Sequence, residues 1–320
     1  MNRSVIVRWL LRTVAIVVPV FVLASLVTFA LRDISGINPA AEILGDEATP
    51  EAVAQLEASW GLDRPFVVQY ASWLGRVLSG DLGRSWYSDS PVAEIMVQRA
   101  PITLSVALLA LAIGMAAGTL LGTLSAVRAG SWLDRVITAV LSAASTLPAF
   151  VIGIGLIAIF SVALPIFPAA GYLPLKFGWW PWLSTILLPA LALSFDTAAD
   201  LGRQLRASMI EAYGRNYVLG ARARGYGELR IFVRHVLPNA LGPAVAILGL
   251  KFPALLGGAV VTESIFNMNG YGKFAADSSL RGDVPAVQAV LVVAVGLVLV
   301  FSVLVNLVQI RLNPASGRGY

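Results

Sequence analysis

Of 320 residues, 58% are apolar and 13% charged, where a soluble globular chain has roughly 45–50% and about 25%. Too few polar side chains remain to face water, so lipid must solvate much of the chain. Cysteine is absent, His235 is the only histidine, and the net charge of +5 collects at the ends of apolar runs; this excludes disulfides, thiolate or multi-histidine metal sites and a cysteine nucleophile, and points to membrane orientation rather than nucleic acid.

A membrane-crossing helix needs about 20 mostly apolar residues. The first candidate runs from about Trp9 to Leu31, behind Arg3, Arg8 and Arg12. Its apolar stretch, Val14 to Leu31, is long for a signal-peptide core and no small-x-small cleavage pattern follows, so an uncleaved anchor is expected. In residues 32–100, Thr49-Pro50-Glu51 supplies a helix start and Gly61 an end. Phe66, Tyr70, Trp73, Leu74, Val77 and Leu78 then form one apolar stripe on a helix that Gly80 terminates. Two readings suit this stripe: a hairpin lying on the outer leaflet with Tyr and Trp at the headgroup boundary, or a docking surface for an external partner.

Further spans are expected at Pro101–Val127, Leu133–Leu164, Trp182–Gln204, Ala240–Ile265 and Val284–Ile310, six in all. The third is long enough to tilt. Gly114, Gly118 and Gly122 stand four apart, a spacing that lets transmembrane backbones approach closely in helix packing. Pro19, Pro148, Pro189 and Pro253 each interrupt a different span. With the N-terminus inside, inner segments hold fourteen of the 23 Lys and Arg residues and outer segments eight, which puts both termini in the cytoplasm. Charges inside spans are costly and therefore functional candidates. Lys251 lies about eleven residues into its span, roughly 16 Å deep, and Asp196, Asp200 and Arg203 follow one another in the preceding span. They suit a translocation path for substrate termini or a structural ion pair. Glu263 stands near the expected outer mouth.

The inner segment from Arg203 to Asn239 holds seven arginines and the histidine. Ile231, Val233, Val236 and Leu237 give it enough apolar character for helix, Gly225 and Gly227 break it, and Pro238 is expected to close the second piece. A helix, glycine corner and helix suit docking in a partner's groove; a basic amphipathic helix on anionic lipid is the other reading. No Gly-x-x-x-x-Gly-Lys-Ser/Thr phosphate loop is present, and Gly270-Tyr271-Gly272-Lys273-Phe274, the nearest approach, lacks the hydroxyl. No repeat marks a lone secondary carrier, and no paired constellation within spans suits an intramembrane protease.

Ala221-Arg222-Ala223-Arg224-Gly225, nine residues, then His235-Val236-Leu237-Pro238 resembles the cytoplasmic loop signature of permease subunits in ATP-binding cassette (ABC) importers. Leu219, Gly220 and His235 depart from the common pattern, and Arg234-His235 is typical of the peptide-importer branch. Leu62-Asp63, Gln69-Tyr70, Trp73-Leu74, Gly80-Asp81-Leu82-Gly83, Pro91-Val92, Arg99, Pro101, Thr103 and Leu104 are similar to the outer segment of oligopeptide and dipeptide permeases. Leu255 to Val260, Glu263, Phe266 and Gly270-Tyr271-Gly272 resemble the same group, while Asn269, the run Arg281 to Pro285, and Asn313-Pro314 depart from it.

The resemblance implies an all-α polytopic membrane protein with six transmembrane helices, the transmembrane domain of a type I ABC importer, with cytoplasmic termini. It implies an N-terminal helix plus extracytoplasmic segment over 1–97 and the importer domain over 98–320, with a coupling helix at about 217–238. Ala221, Arg222, Arg224, Gly225, Arg234, His235, Leu237 and Pro238 would couple to the ATPase, and Asp196, Asp200, Lys251 and Glu263 would serve path or gate. The implied partners are a second homologous permease subunit, two cytoplasmic ATPase subunits that use ATP and Mg, an extracytoplasmic substrate-binding protein and the bilayer. No cofactor, metal or nucleic acid is expected on this chain, and no catalysis. The expected function is uptake of di- or oligopeptides across a bacterial or archaeal plasma membrane. Nickel chelates, glutathione or small saccharides, or a stand-alone transporter or channel, are the alternatives.

Overall fold

A computed structural model describes residues 3–36 and 38–312; Asn313-Pro314 and Arg318 lie outside the described residues, as do the side chains of Arg3, Arg8, Arg12 and Arg32. Helix is the only regular structure among the described residues, with one isolated bridge between Arg84 and Pro91. In chain order the helices are α1 (Arg3–Ser35), α2 (Pro39–Leu44), α3 (Pro50–Trp60), α4 (Phe66–Leu78), α5 (Val92–Val127), α6 (Trp132–Thr146) and α7 (Ala149–Ile157). There follow α8 (Trp179–Tyr213), α9 (Asn216–Ala223), α10 (Glu228–Ile231), α11 (Leu237–Ile265), α12 (Tyr271–Leu280) and α13 (Val284–Leu312).

Among the described residues, four helical stretches are long and apolar enough to cross a bilayer: Val92–Val127, Trp179–Tyr213, Glu228–Ile265 and Val284–Gln309. α1 adds a shorter apolar stretch, Ala15–Leu31. The expected single span from Leu133 to Leu164 is instead two helices, α6 and α7, bent by 98°. Leu147-Pro148 causes the break. Proline lacks the N–H that would continue the ladder and drives the preceding residue extended, and Leu147 has φ −82° and ψ 124°.

The chain divides into two compact units, 1–101 with 270–297 and 102–269 with 298–320. In the first, α3 begins with Thr49 Oγ1 accepting from the Ala52 N–H and ends at Gly61, whose φ of +72° suits glycine. The apolar stripe of α4 packs inside the unit, except for Leu78, which is 80% exposed. Phe66, Tyr70, Trp73, Leu74 and Val77 join Phe21 and Phe29 of α1 in one cluster. Phe29 lies 5.6 Å from Tyr70 and 5.5 Å from Trp73, centroid to centroid, and the Ser25 and Tyr70 hydroxyls are 2.8 Å apart. Edge-on and tilted aromatic pairs of this kind add roughly 0.5–1.5 kcal/mol each beyond the area they bury.

In the second unit α8 is the innermost long helix, with seventeen buried residues between Thr185 and Ala212. Gly114, Gly118 and Gly122 of α5 face it. A Cβ added at those glycines would stand 2.7 Å from Thr197 Cβ, 2.8 Å from the Ala198 carbonyl oxygen and 2.6 Å from the Gly202 carbonyl oxygen. Only glycine permits so close an approach.

Candidate functional site

The Arg203–Asn239 segment folds as an elbow built from α9, α10 and the start of α11. Gly225 makes the corner with φ +78°, where a side chain would be strained. The Gly225 N–H donates to the Arg222 carbonyl at 2.8 Å and the Tyr226 N–H to the Ala221 carbonyl at 3.1 Å, closing the end of α9. Across the corner the Arg222 guanidinium grips Glu228 through both carboxylate oxygens, at 2.7 and 3.1 Å.

One face of the elbow is anchored. Val218, Ala221, Ile231 and Val236 are fully buried and pack with Leu205, Met209 and Ala212 of α8. The other face is open: Leu219, Leu229 and Val233 are 55%, 77% and 54% exposed, among exposed Arg222, Arg224, Arg230 and Arg234. Tyr226 organises the arginines, with Arg230 4.3 Å and Arg224 5.7 Å from its ring centroid. The His235 ring stacks on Tyr226 at 6.2 Å.

Pro238 does not close the second piece. α10 continues through a π turn, Phe232–Val236, into α11, and Pro238 stands in the first turn of α11, where a missing N–H costs little. The elbow's second arm is therefore continuous with the helical stretch that runs to Ile265. No loop separates the elbow from that helix.

The charged residues of the spans form a second constellation. Lys251 Nζ donates to Asp196 at 2.6 Å and also contacts Asp200, which Arg203 contacts from the other side. Arg203 further donates to Ser145 Oγ at 2.7 Å. Two carboxylates thus meet two cations, which offsets much of the cost of holding charge away from water. Asp196 keeps 51% of its side chain exposed against 11% for Lys251, so the cluster opens at Asp196. Glu263 stands apart from it, 1% exposed, accepting from the Thr103 hydroxyl at 2.5 Å.

Two arrangements lie beyond the residues that sequence reasoning singled out. Glu228 and Tyr226 complete the elbow; an acid six residues after Arg222 in a basic segment was the available signal. Asp134, 3% exposed, accepts from Arg206 at 2.6 and 2.8 Å, from the Gly130 N–H at 2.8 Å and from Ser125. Ser131 caps α6 three residues before Asp134, a helix-start pattern legible in the sequence. Its buried ion pair with α8 was not.

The chain matches two family models, the binding-protein-dependent transport system inner membrane component over residues 118–317 and the N-terminal membrane component of the same systems over residues 6–107. It is 34% identical over 305 residues to a putative peptide transport system permease protein of Brucella abortus, covering 95% of this chain and 97% of that one. The dipeptide transport system permease protein DppB of Escherichia coli is 31% identical, with 96% and 98% covered. The metal-staphylopine import system permease protein CntB of Staphylococcus aureus is also 31% identical, with 98% and 99% covered. Among solved structures, the inward-facing MetNI methionine ABC transporter shares the fold at TM-score 0.56 and 18% identity, covering 70% of this chain and 98% of that one. This chain belongs to the inner-membrane permease family of binding-protein-dependent ABC transport systems.

Proposed function

We propose that this chain is one permease subunit of a heteromeric ABC importer for di- or oligopeptides. In this reading it pairs with a second, homologous permease, receives substrate from an extracytoplasmic binding protein and draws on two cytoplasmic ATPase subunits. It crosses the membrane six times, with α1 and the bent α6–α7 pair completing the set and both termini inside. The chain holds no nucleotide; ATP and Mg belong to the partner subunits.

The observation that carries the reading is the elbow. Its inward face is fixed to α8, while Leu219, Leu229 and Val233 lie uncovered among arginines, a surface with the chemistry of a protein contact. Closure of the ATPase pair on ATP would push this surface, and the continuous arm into α11 would carry the motion to Lys251 and beyond, a rigid-body switch between two arrangements. Peptide as substrate is supported by the similarity to peptide and dipeptide permeases over nearly the whole chain. Import of metal chelates is the second reading, favoured by the likeness to CntB.

Reconstitution tests the proposal. The chain, its second permease and the ATPase subunits are assembled in liposomes with the binding protein, and peptide uptake and ATP hydrolysis are measured together. Gly225→Val, strained at φ +78°, is expected to keep basal ATP hydrolysis and lose most binding-protein-stimulated uptake. Uptake and ATPase activity that remain coupled as in the unaltered protein would overturn the elbow's role; uptake of a metal chelate but no peptide would select the second reading.

A further inference from the structure

The first unit holds a half-open cavity of about 910 Å³, lined mainly by α3, α4 and the loop after α4. That volume lies in the range of roughly 300–1,000 Å³ at which proteins hold small organic ligands. Its wall is aromatic and cationic. The Trp60 and Trp86 rings stack 4.9 Å apart and 9° from parallel, and buried Trp73 also lines the space.

Three arginines and two aspartates share the lining. Arg84 is committed to Asp89 at 2.9 Å, and Asp81 accepts from the Gly83 N–H at 2.8 Å. Gln69 donates to the carbonyls of Leu62 and Arg64, at 3.1 and 2.8 Å, and so pins the loop that carries Arg64. Arg64 and Arg76 form no ion pair among the described residues. The cavity therefore presents two uncommitted guanidinium forks beside a flat aromatic wall. A guanidinium fork matches a carboxylate in shape and charge, and an indole face takes an aromatic or apolar group.

We propose that this cavity binds a small organic carboxylate carrying an apolar or aromatic side group, with Arg64 and Arg76 holding the carboxylate and the Trp60–Trp86 wall receiving the side group. The C-terminus of a short peptide has this chemistry; naming a peptide rests on the function proposed above, whereas the carboxylate does not.

The test uses the full chain in nanodiscs of zwitterionic lipid, titrated calorimetrically with Ala-Phe and with its C-terminal amide. Saturable binding of Ala-Phe is expected, weakened at least about tenfold in the amide, as loss of a charged hydrogen bond implies. The double variant Arg64→Gln/Arg76→Gln should lose the same factor and no longer distinguish acid from amide, while Arg76→Lys regains part of the affinity. Lys176→Gln, a cation outside the cavity lining, should bind Ala-Phe as the unaltered protein does. Equal binding of acid and amide, full affinity in the double variant, or no binding to the unaltered chain would each overturn the site. Failure of ATP-driven peptide uptake in the assembled transporter would sink the import reading and leave this binding result standing.

Discussion

The Ser85 hydroxyl donates to Asp283 at 2.6 Å across 198 residues of sequence. Asp283, 2% exposed, also accepts from the Trp86 N–H at 3.3 Å and the Ala286 N–H at 3.4 Å, tying the loop after α4 to the start of α13. Burial pushes its carboxyl above the usual carboxylate range, against the hydrogen bonds that favour the anion. A raised folded value means that the group's contribution to stability is complete below the ordinary carboxylate pKa and is lost as pH rises through the raised one. The apparent melting temperature in detergent should fall over that window, and Asp283→Asn should flatten the slope. Ser85→Ala, which strips one partner from a buried acid, should cost roughly 1–3 kcal/mol. An unchanged pH profile in Asp283→Asn would show that this carboxyl does not titrate there.

Gly122 and Gly257 give opposite answers to one methyl group. At Gly122 a Cβ would meet the Gly202 carbonyl oxygen at 2.6 Å, and at Gly257 it meets nothing within 4 Å. Gly122→Ala must push α5 from α8 and should destabilise by about 1–3 kcal/mol. Gly257→Ala, in the middle of α11, should be neutral or gain up to about 1 kcal/mol. Paired thermal melts of the two variants decide it; equal melting temperatures would mean that α5 and α8 are not in this contact.

Lys251→Met leaves Asp196 and Asp200 with Arg203 as their remaining cation among the contacts seen here. Removing one partner of a buried pair costs about 3–5 kcal/mol, and the half-exposure of Asp196 places this case at the lower end. Adding Asp196→Asn alone should restore much of the loss, because Asp200 and Arg203 then balance each other and no charge is left unpaired. Stability and uptake should be read on the same variants. Recovered stability with uptake still absent would assign the cluster to the path; recovery of both would make it a structural clamp.

Arg222→Glu and Glu228→Arg each break the grip across the elbow, and the double exchange remakes it with reversed polarity. Both side chains are well exposed, at 45% and 65%, so the fold should hardly notice. Coupling should. Each single exchange is expected to lower uptake per ATP hydrolysed severalfold in the reconstituted transporter, and the double exchange to recover it in part. No recovery would mean that Arg222 acts on the ATPase subunit rather than on Glu228.

Much of the protein was legible in its residues because the causes are local or compositional. A surplus of apolar side chains forces a lipid solvent whatever the topology, Thr49-Pro50 and Gly61 start and stop a helix through their own backbone chemistry, and the spacing from Ala221 to Pro238 carries the elbow's family signature. Contacts between distant segments depend on which surfaces meet. The stripe on α4 reads as interfacial until Phe21 and Phe29 arrive to cover it, and the partner of Asp134 lies 72 residues away on α8. Pro148 breaks a span through its own ring, but the size of the bend, 98°, is seen only in the folded chain. Pro238 looks like a stop, yet the π turn before it lets α10 run on into α11. Backbone propensity is a property of a few neighbouring residues and survives in the sequence; the pairing of charges, ring faces and close-packed glycines is decided only when the chain closes on itself.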